Sequence, residues 1–539
     1  MRRAPAVVLL AASLSATSAA ARGDSARINS TTIPHVLRLA STEDVATLNP
    51  EISSQTIVAG LSQLTAAYFF RYDRENRMRP ELATLVPTQR NGGIARDGLT
   101  VTFHLRRGVR WSDGRPFDAD DAIYTIGAIQ NRANSVPSRD GFDRIKKMDE
   151  PNKYTLVLHL KERYGGIVPT MFGSSAVYAV LPKHVLGGLH DFNHAPFNAR
   201  PIGIGPFRYV TWKRGDSIEL ERNPYYWRGQ PALAKVVVKI IPNRNAAFAQ
   251  LETGEVDVWS GGGSLLPRFA DIASVRVLRR PGYQVNLLVL NLNGRVVRDR
   301  AVRVALRYAT DRRAIRDKVS HGVGILQDVA LPKADASAPR DIGFTAFDPA
   351  KANAVLDAGG WKRGPDGIRV KNGVRLSLTY VTDSATPNGA PVDLLIRSWW
   401  QDIGADVTLR QYPSSMLFAP YDQGGILDAG KFDVMLIARF YTIPLDPRNE
   451  YACDQIPPAG QNASHYCNRK VDALIGVFDR SYDDAERAAD LREMYHTIES
   501  DVPVIVITGA ESIYAVNRDI KNFTPNSITP FDDMLRVDI

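Results

Sequence analysis

The sequence predicts an α/β protein with mixed sheets, divided into two or three compact units. Three observations lead there. At 539 residues the chain is too long for one hydrophobic core. Segments of period-two alternation exchange with segments of helical period along its whole length. Hydrophobic residues make up 44% and charged residues 23%, ordinary values for a globular chain that faces water. The net charge of +9 is scattered, with no long Lys/Arg run and no nucleic-acid motif. It reads as a solvated surface, so no nucleic-acid partner is expected.

At the start of the chain, Arg2 and Arg3 precede a short apolar run at 6–14, and an A-x-A site lies at 19–21. This is the pattern of a secretory signal peptide over residues 1–21. The run is too short to span a membrane. No Cys lies near the cleavage site, so a lipid anchor is not expected, and the mature protein is expected free in the periplasm. A strand begins at 34–40, and 55–70 reads as a helix with Ile57, Leu61, Leu64 and Tyr68 on one face. Val101, Phe103 and Leu105 alternate with polar residues as a strand. Residues 111–114 make a polar turn, and Asp118 caps a helix favoured by Asp120 and Asp121. Capping accounts for those carboxylates better than paired-acid catalysis does.

Residues 203–227 read as a β-hairpin closed by Tyr225, Tyr226 and Trp227, with Gly215 in its turn. Residues 235–241 and 283–291 are strands rich in β-branched and aliphatic residues. Asp299 caps a helix, Asp311 restarts it towards 318, and Asp348-Pro349 opens another as N-cap and N1. Asn372-Gly373 signals a type I′ hairpin turn. Further helices are expected at 391–403, 470–478 and 484–499, and further strands at 407–412, 432–438 and 504–508.

Four of these stretches carry a resemblance. GIGPFRYVTWKRGDSIELERNPYYW (203–227), TFHLRRGVRWSDGRPFDADD (102–121), the D-R-x-V-R-x-A-L-x-Y-A-x-D-R run from Asp299, and the D-P-x-K-A run from Asp348 stand in one order. Together they resemble the extracellular solute-binding proteins of peptide/nickel-type ABC transporters, family 5. The resemblance covers nearly all of 35–535. It implies a two-lobed, periplasmic-binding-protein-like (type II) fold with a hinge. Lobe I would hold 22–281 plus 507–539 and lobe II 282–506, with crossing strands near Tyr283 and Ile507. The loop after the first strand would lead towards the ligand cleft. The resemblance also implies a monomer that captures a peptide or other small-molecule ligand and delivers it to ABC transporter permease subunits. No cofactor and no metal are expected, and no catalytic residue.

The residues agree with a binding role. There is no H-E-x-x-H, no G-x-S-x-G and no P-loop; the glycines at 261–263 lack the Lys-Ser/Thr a P-loop needs. A secreted hydrolase on the same scaffold, or a chaperone or sensor that holds protein segments, are the alternatives. Candidate ligand contacts are Trp259, Tyr283, Arg439, Phe440 and Tyr441. Trp259 follows the G-E-V-D strand start, where the family places cleft contacts. Arg439 offers a guanidinium to an anionic group or faces solvent. Phe440 and Tyr441 stack on a ligand or pack in a core. Peptide binders of the family commonly place an Asp a few residues before the Asp446-Pro447 pair; here Thr442 and Ile443 stand in its place. Cys453 and Cys467 are the only cysteines, and an exported pair of this kind is expected to bond, free thiols or metal being the alternative. The short loop they close is worth about 3 kcal/mol by chain entropy.

Overall fold

A computed structural model describes residues 29–175, 178–260, 263–384 and 389–539. The expected signal peptide lies outside these residues. Among them no helix is long and apolar enough to cross a membrane.

One ten-stranded mixed sheet organises the chain. Its strands in sequence are β1 (Val36–Ser41), β2 (Phe207–Lys213), β3 (Ser217–Arg222), β4 (Lys235–Ile240) and β5 (Val258–Ser260). They continue with β6 (Val275–Leu290), β7 (Ser377–Asp383), β8 (Asp406–Tyr412), β9 (Val434–Phe440) and β10 (Val504–Asn517). Their spatial order is β8-β7-β9-β6-β10-β5-β1-β4-β3-β2. β1 runs parallel to β4 and β5, and β7 runs parallel to β8 and β9. β6 and β10 pair antiparallel in the middle. Helices and loops cover both faces of the centre, and Leu287 to Leu290 and Val504 to Ile507 are buried without a break. That is why these two stretches read as continuous apolar runs rather than alternating ones.

β6 is 16 residues long and β10 is 14. Their outer parts pair from Val275↔Asn517 to Pro281↔Glu511, and their inner parts from Val285↔Gly509 to Val289↔Val504. The register shifts between Pro281 and Val285, where proline has no N–H to give the ladder. The outer parts belong with β5, β1 and β4; the inner parts belong with β9 and β7. Separate hydrophobic cores fill the two sides: Leu37, Leu61, Val236 and Tyr514 on one, Leu287, Val471, Tyr495 and Val506 on the other. A further core lies between Ala67 and Ile204 around a small sheet of Thr100–His104, Thr155–Leu160 and Ile145–Asn152.

Local chemistry explains most elements. Asp118 forms a full capping box with Asp121 at the helix Ala119–Gln130, and Trp111 Nε1 donates to Asp121 Oδ2 at 3.1 Å. Asn372 and Gly373 hold φ of 52° and 77°, as a type I′ turn requires. In the 203–227 hairpin Phe207, Tyr209, Ile218 and Leu220 are buried on one side. Three expectations differ from the structure. The 55–70 helix spans Thr56–Thr65, because Phe69 N–H bonds Phe172 O at 2.8 Å and its neighbour joins a short strand, Phe70–Tyr72. The strand expected at 283–291 begins eight residues earlier, at Val275, through an Arg-rich run whose alternation is masked by half-buried side chains. The helix restarted at Asp311 makes a single α turn and then a π turn over Ile315–Val319.

Candidate functional site

A cavity of about 500 Å³ opens where β6 and β10 shift register. Six parts of the chain meet there. The end of β1 and its loop bring Ser41 and Glu43; the helix Thr56–Thr65 brings Ile57 and Leu61. β5 brings Trp259, and β6 brings Tyr283 at the shift. The end of β9 brings Phe440 and Tyr441; β10 and the C-terminal segment bring Glu511, Tyr514 and Phe531. The wall is mostly apolar and aromatic with a few polar groups, the usual make-up of a small-solute site.

The sequence candidates divide here. Trp259, Tyr283, Phe440 and Tyr441 all line the cavity. Trp259 is only 2% exposed and packs edge-on against Phe269 at 5.5 Å, so it serves core and cavity together. Phe440 is 75% exposed, the most open large hydrophobic side chain among the described residues. Tyr441 is fixed on three sides: its N–H donates to Tyr283 O at 2.8 Å, and its hydroxyl lies within hydrogen-bond reach of both Ala330 O and Glu450 Oε2. Arg439 is not among the lining residues. Its Nη1 lies 3.2 Å from Glu450 Oε2, with both side chains largely covered. Successive side chains of a strand point to opposite faces, so Arg439 cannot share the side that Phe440 presents. Burial pushes the Glu450 carboxyl up to about 7, against the pull of Arg439.

Reading by motif does not pick out Glu43, Ile57, Leu61, Glu511, Tyr514 and Phe531. They come from three separated stretches, and only the loop after the first strand carries a signal in the sequence, as a segment leading towards a cleft. Cys453 and Cys467 are joined by a disulfide, with S–S 2.13 Å. Among the described residues no group of three or more His, Cys, Asp or Glu is placed to hold a metal ion.

A second contact joins the two sides of the molecule away from the cavity. Gly165 N–H donates to Asp479 O at 2.7 Å. Tyr482 Oη donates to Gly98 O at 2.7 Å and accepts from Tyr164 N–H at 3.1 Å. A side chain at 165 would place its Cβ 2.0 Å from Ser481 O, so only glycine permits this approach. Asp479 beside this seam is pushed up to about 6 by burial and by the neighbouring Asp446 charge.

A cavity at the junction of two half-sheets, walled from both, has the form in which a small solute can be held. The family model of bacterial extracellular solute-binding proteins, family 5 Middle, matches residues 77–452, and the chain belongs to that family. It is 25% identical over 432 residues to the oligopeptide-binding protein AppA of Bacillus subtilis, covering 79% of this chain and 78% of that one. It is 26% identical over 427 residues to the nickel-binding periplasmic protein of Escherichia coli, covering 76% and 78%. The crystal structure of NikA from Brucella suis in complex with Fe(III)-EDTA superposes with a TM-score of 0.78 at 22% identity, over 93% of this chain and 99% of that one.

Proposed function

We propose that this protein is the substrate-binding component of an ABC importer. It captures a peptide or another small organic solute in the cavity between Trp259, Tyr283, Phe440 and Tyr441, and delivers it to the permease subunits. The observation that carries this reading is the cavity itself, lined from both half-sheets where β6 and β10 cross. In this reading lobe I comprises 22–281 with 507–539, and lobe II comprises 282–506. The two turn about the shifted stretch of β6 and β10, and a solute that touches both favours the closed form by its differential affinity. Arg439 acts from behind, by holding Glu450 and through it Tyr441. Residues 1–21 are removed on export, and the mature chain works in the periplasm as a monomer, without lipid anchor, cofactor or catalytic step.

Thermal-shift screening of the purified protein against peptides, amines, sugars and metal chelates tests the reading, together with native mass spectrometry of what co-purifies. A stabilising solute whose effect is lost in Phe440→Ala is the expected result. No shift from any class, with no co-purifying small molecule, contradicts it.

A further inference from the structure

If the cavity captures a solute, as proposed, the charge of its wall narrows the class of that solute. No Lys, Arg or His lines the cavity among the described residues. Its charged wall residues are Glu43 and Glu511. Glu511 is already balanced: Arg279 Nη2 lies 2.5 Å from its Oε2, and Gly324 N–H donates to the same oxygen at 2.8 Å. Glu43 is exposed, and its main chain is held by Ser41, whose Oγ accepts from Glu43 N–H at 3.1 Å and donates to Glu43 O at 2.8 Å. Its carboxylate forms no ion pair among the described residues. The cation nearest in sequence to the wall aromatics, Arg439, is held by Glu450.

The rest of the wall is uncharged, with aromatic Trp259, Tyr283, Phe440 and Tyr514 beside aliphatic side chains and the amides of Gln63 and Gln284. Aromatic faces attract cations and repel anions through the ring quadrupole. A carboxylate or phosphate that enters such a site loses its water and meets no counter-charge. An ammonium group meets Glu43 and a set of π faces instead.

We infer that the cavity selects organic cations with an apolar body and turns away anionic solutes, with Glu43 as the counter-charge and the aromatic wall as the receiving surface. Neutral solutes of the same shape rank between the two.

One phenylalanine-centred tripeptide in three forms tests this by isothermal titration calorimetry. The forms are cationic (free amine, amidated C-terminus), neutral (acetylated and amidated) and anionic (acetylated, free carboxylate). The expected order of affinity is cationic, neutral, anionic, with about tenfold between the first and the last. Glu43→Gln is expected to collapse that spread, because the residue is exposed and its loss does not disturb a core. Phe440→Ala is expected to weaken all three forms alike. Equal or tighter binding of the anionic form, or of Fe(III)-EDTA, overturns the charge inference and leaves solute capture standing. Silence of all three forms alongside binding of a sugar overturns it in the same way. A spread that survives Glu43→Gln removes Glu43 from its role. Silence across the whole solute screen takes down the capture reading as well.

Discussion

Arg439 and Phe440 are adjacent in sequence and opposite in role. Arg439 is covered and paired with Glu450, while Phe440 stands open at the cavity. Arg439→Ala leaves the Glu450 carboxylate buried without its counter-charge and is expected to cost about 3–5 kcal/mol in urea denaturation. Phe440→Ala is expected to change stability by no more than about 0.5 kcal/mol while weakening solute binding. The buried carboxyls also set a pH dependence. Glu450 is pushed up to about 7 and Glu499 to about 8, in both cases chiefly by burial, against the arginines Arg439 and Arg307 beside them. Each binds its proton more tightly folded than unfolded. The stability linked to them is therefore full below the ordinary glutamate value of 4.5 and is lost as pH rises through about 7 and then about 8. The melting temperature is expected to fall between about pH 5 and about pH 9, and Glu499→Gln is expected to flatten the upper part of that slope.

At the scale of the element, strands and helices are legible in the sequence wherever one face of an element is buried. The Ala119–Gln130 helix with its Asp118 cap, the 203–227 hairpin and the type I′ turn at Asn372-Gly373 are all readable, because local chemistry and tertiary packing ask for the same residues. The start of β6 is not. Its VRVLRRPG stretch looks like a loop, and it is held as strand by pairing with β10, more than two hundred residues away. The site is legible by half for the same reason. Trp259, Tyr283, Phe440 and Tyr441 sit in or beside recognisable strands, whereas Ile57, Tyr514 and Phe531 reach the cavity only through the packing of distant elements. Arg439 is a candidate for its guanidinium, which here is paired with Glu450, and the period-two geometry of β9 sends it to the face opposite Phe440. Cys453→Ser with Cys467→Ser is expected to lower stability by about 3 kcal/mol in denaturant titrations, and reductant acting on the wild type is expected to do the same. Gly165→Val puts a side chain against Ser481 O and is expected to part the seam at Asp479 and Tyr482. Small-angle scattering should then show a larger radius of gyration with the helix content unchanged.

The whole molecule is arranged around two long strands. β6 and β10 run through both half-sheets, and the register shift between Pro281 and Val285 coincides with the cavity. Placing the cavity at that shift lets one rotation change the distance between Trp259 and Phe440, which lie on opposite sides of it, while each core stays packed. In the proposed closure each core moves as a unit, and the seam at Gly165 and Tyr482 joins the two sides away from the cavity. Behind Tyr441, the buried Glu450 meets both its hydroxyl and the Arg439 guanidinium.

The most direct measurement is a crystal structure of the protein with the solute that stabilises it most. The expected result is that solute between Trp259 and Phe440, touching Tyr283, with its polar head towards Glu43. A solute held elsewhere, with this cavity empty, would contradict capture at the junction of the two half-sheets.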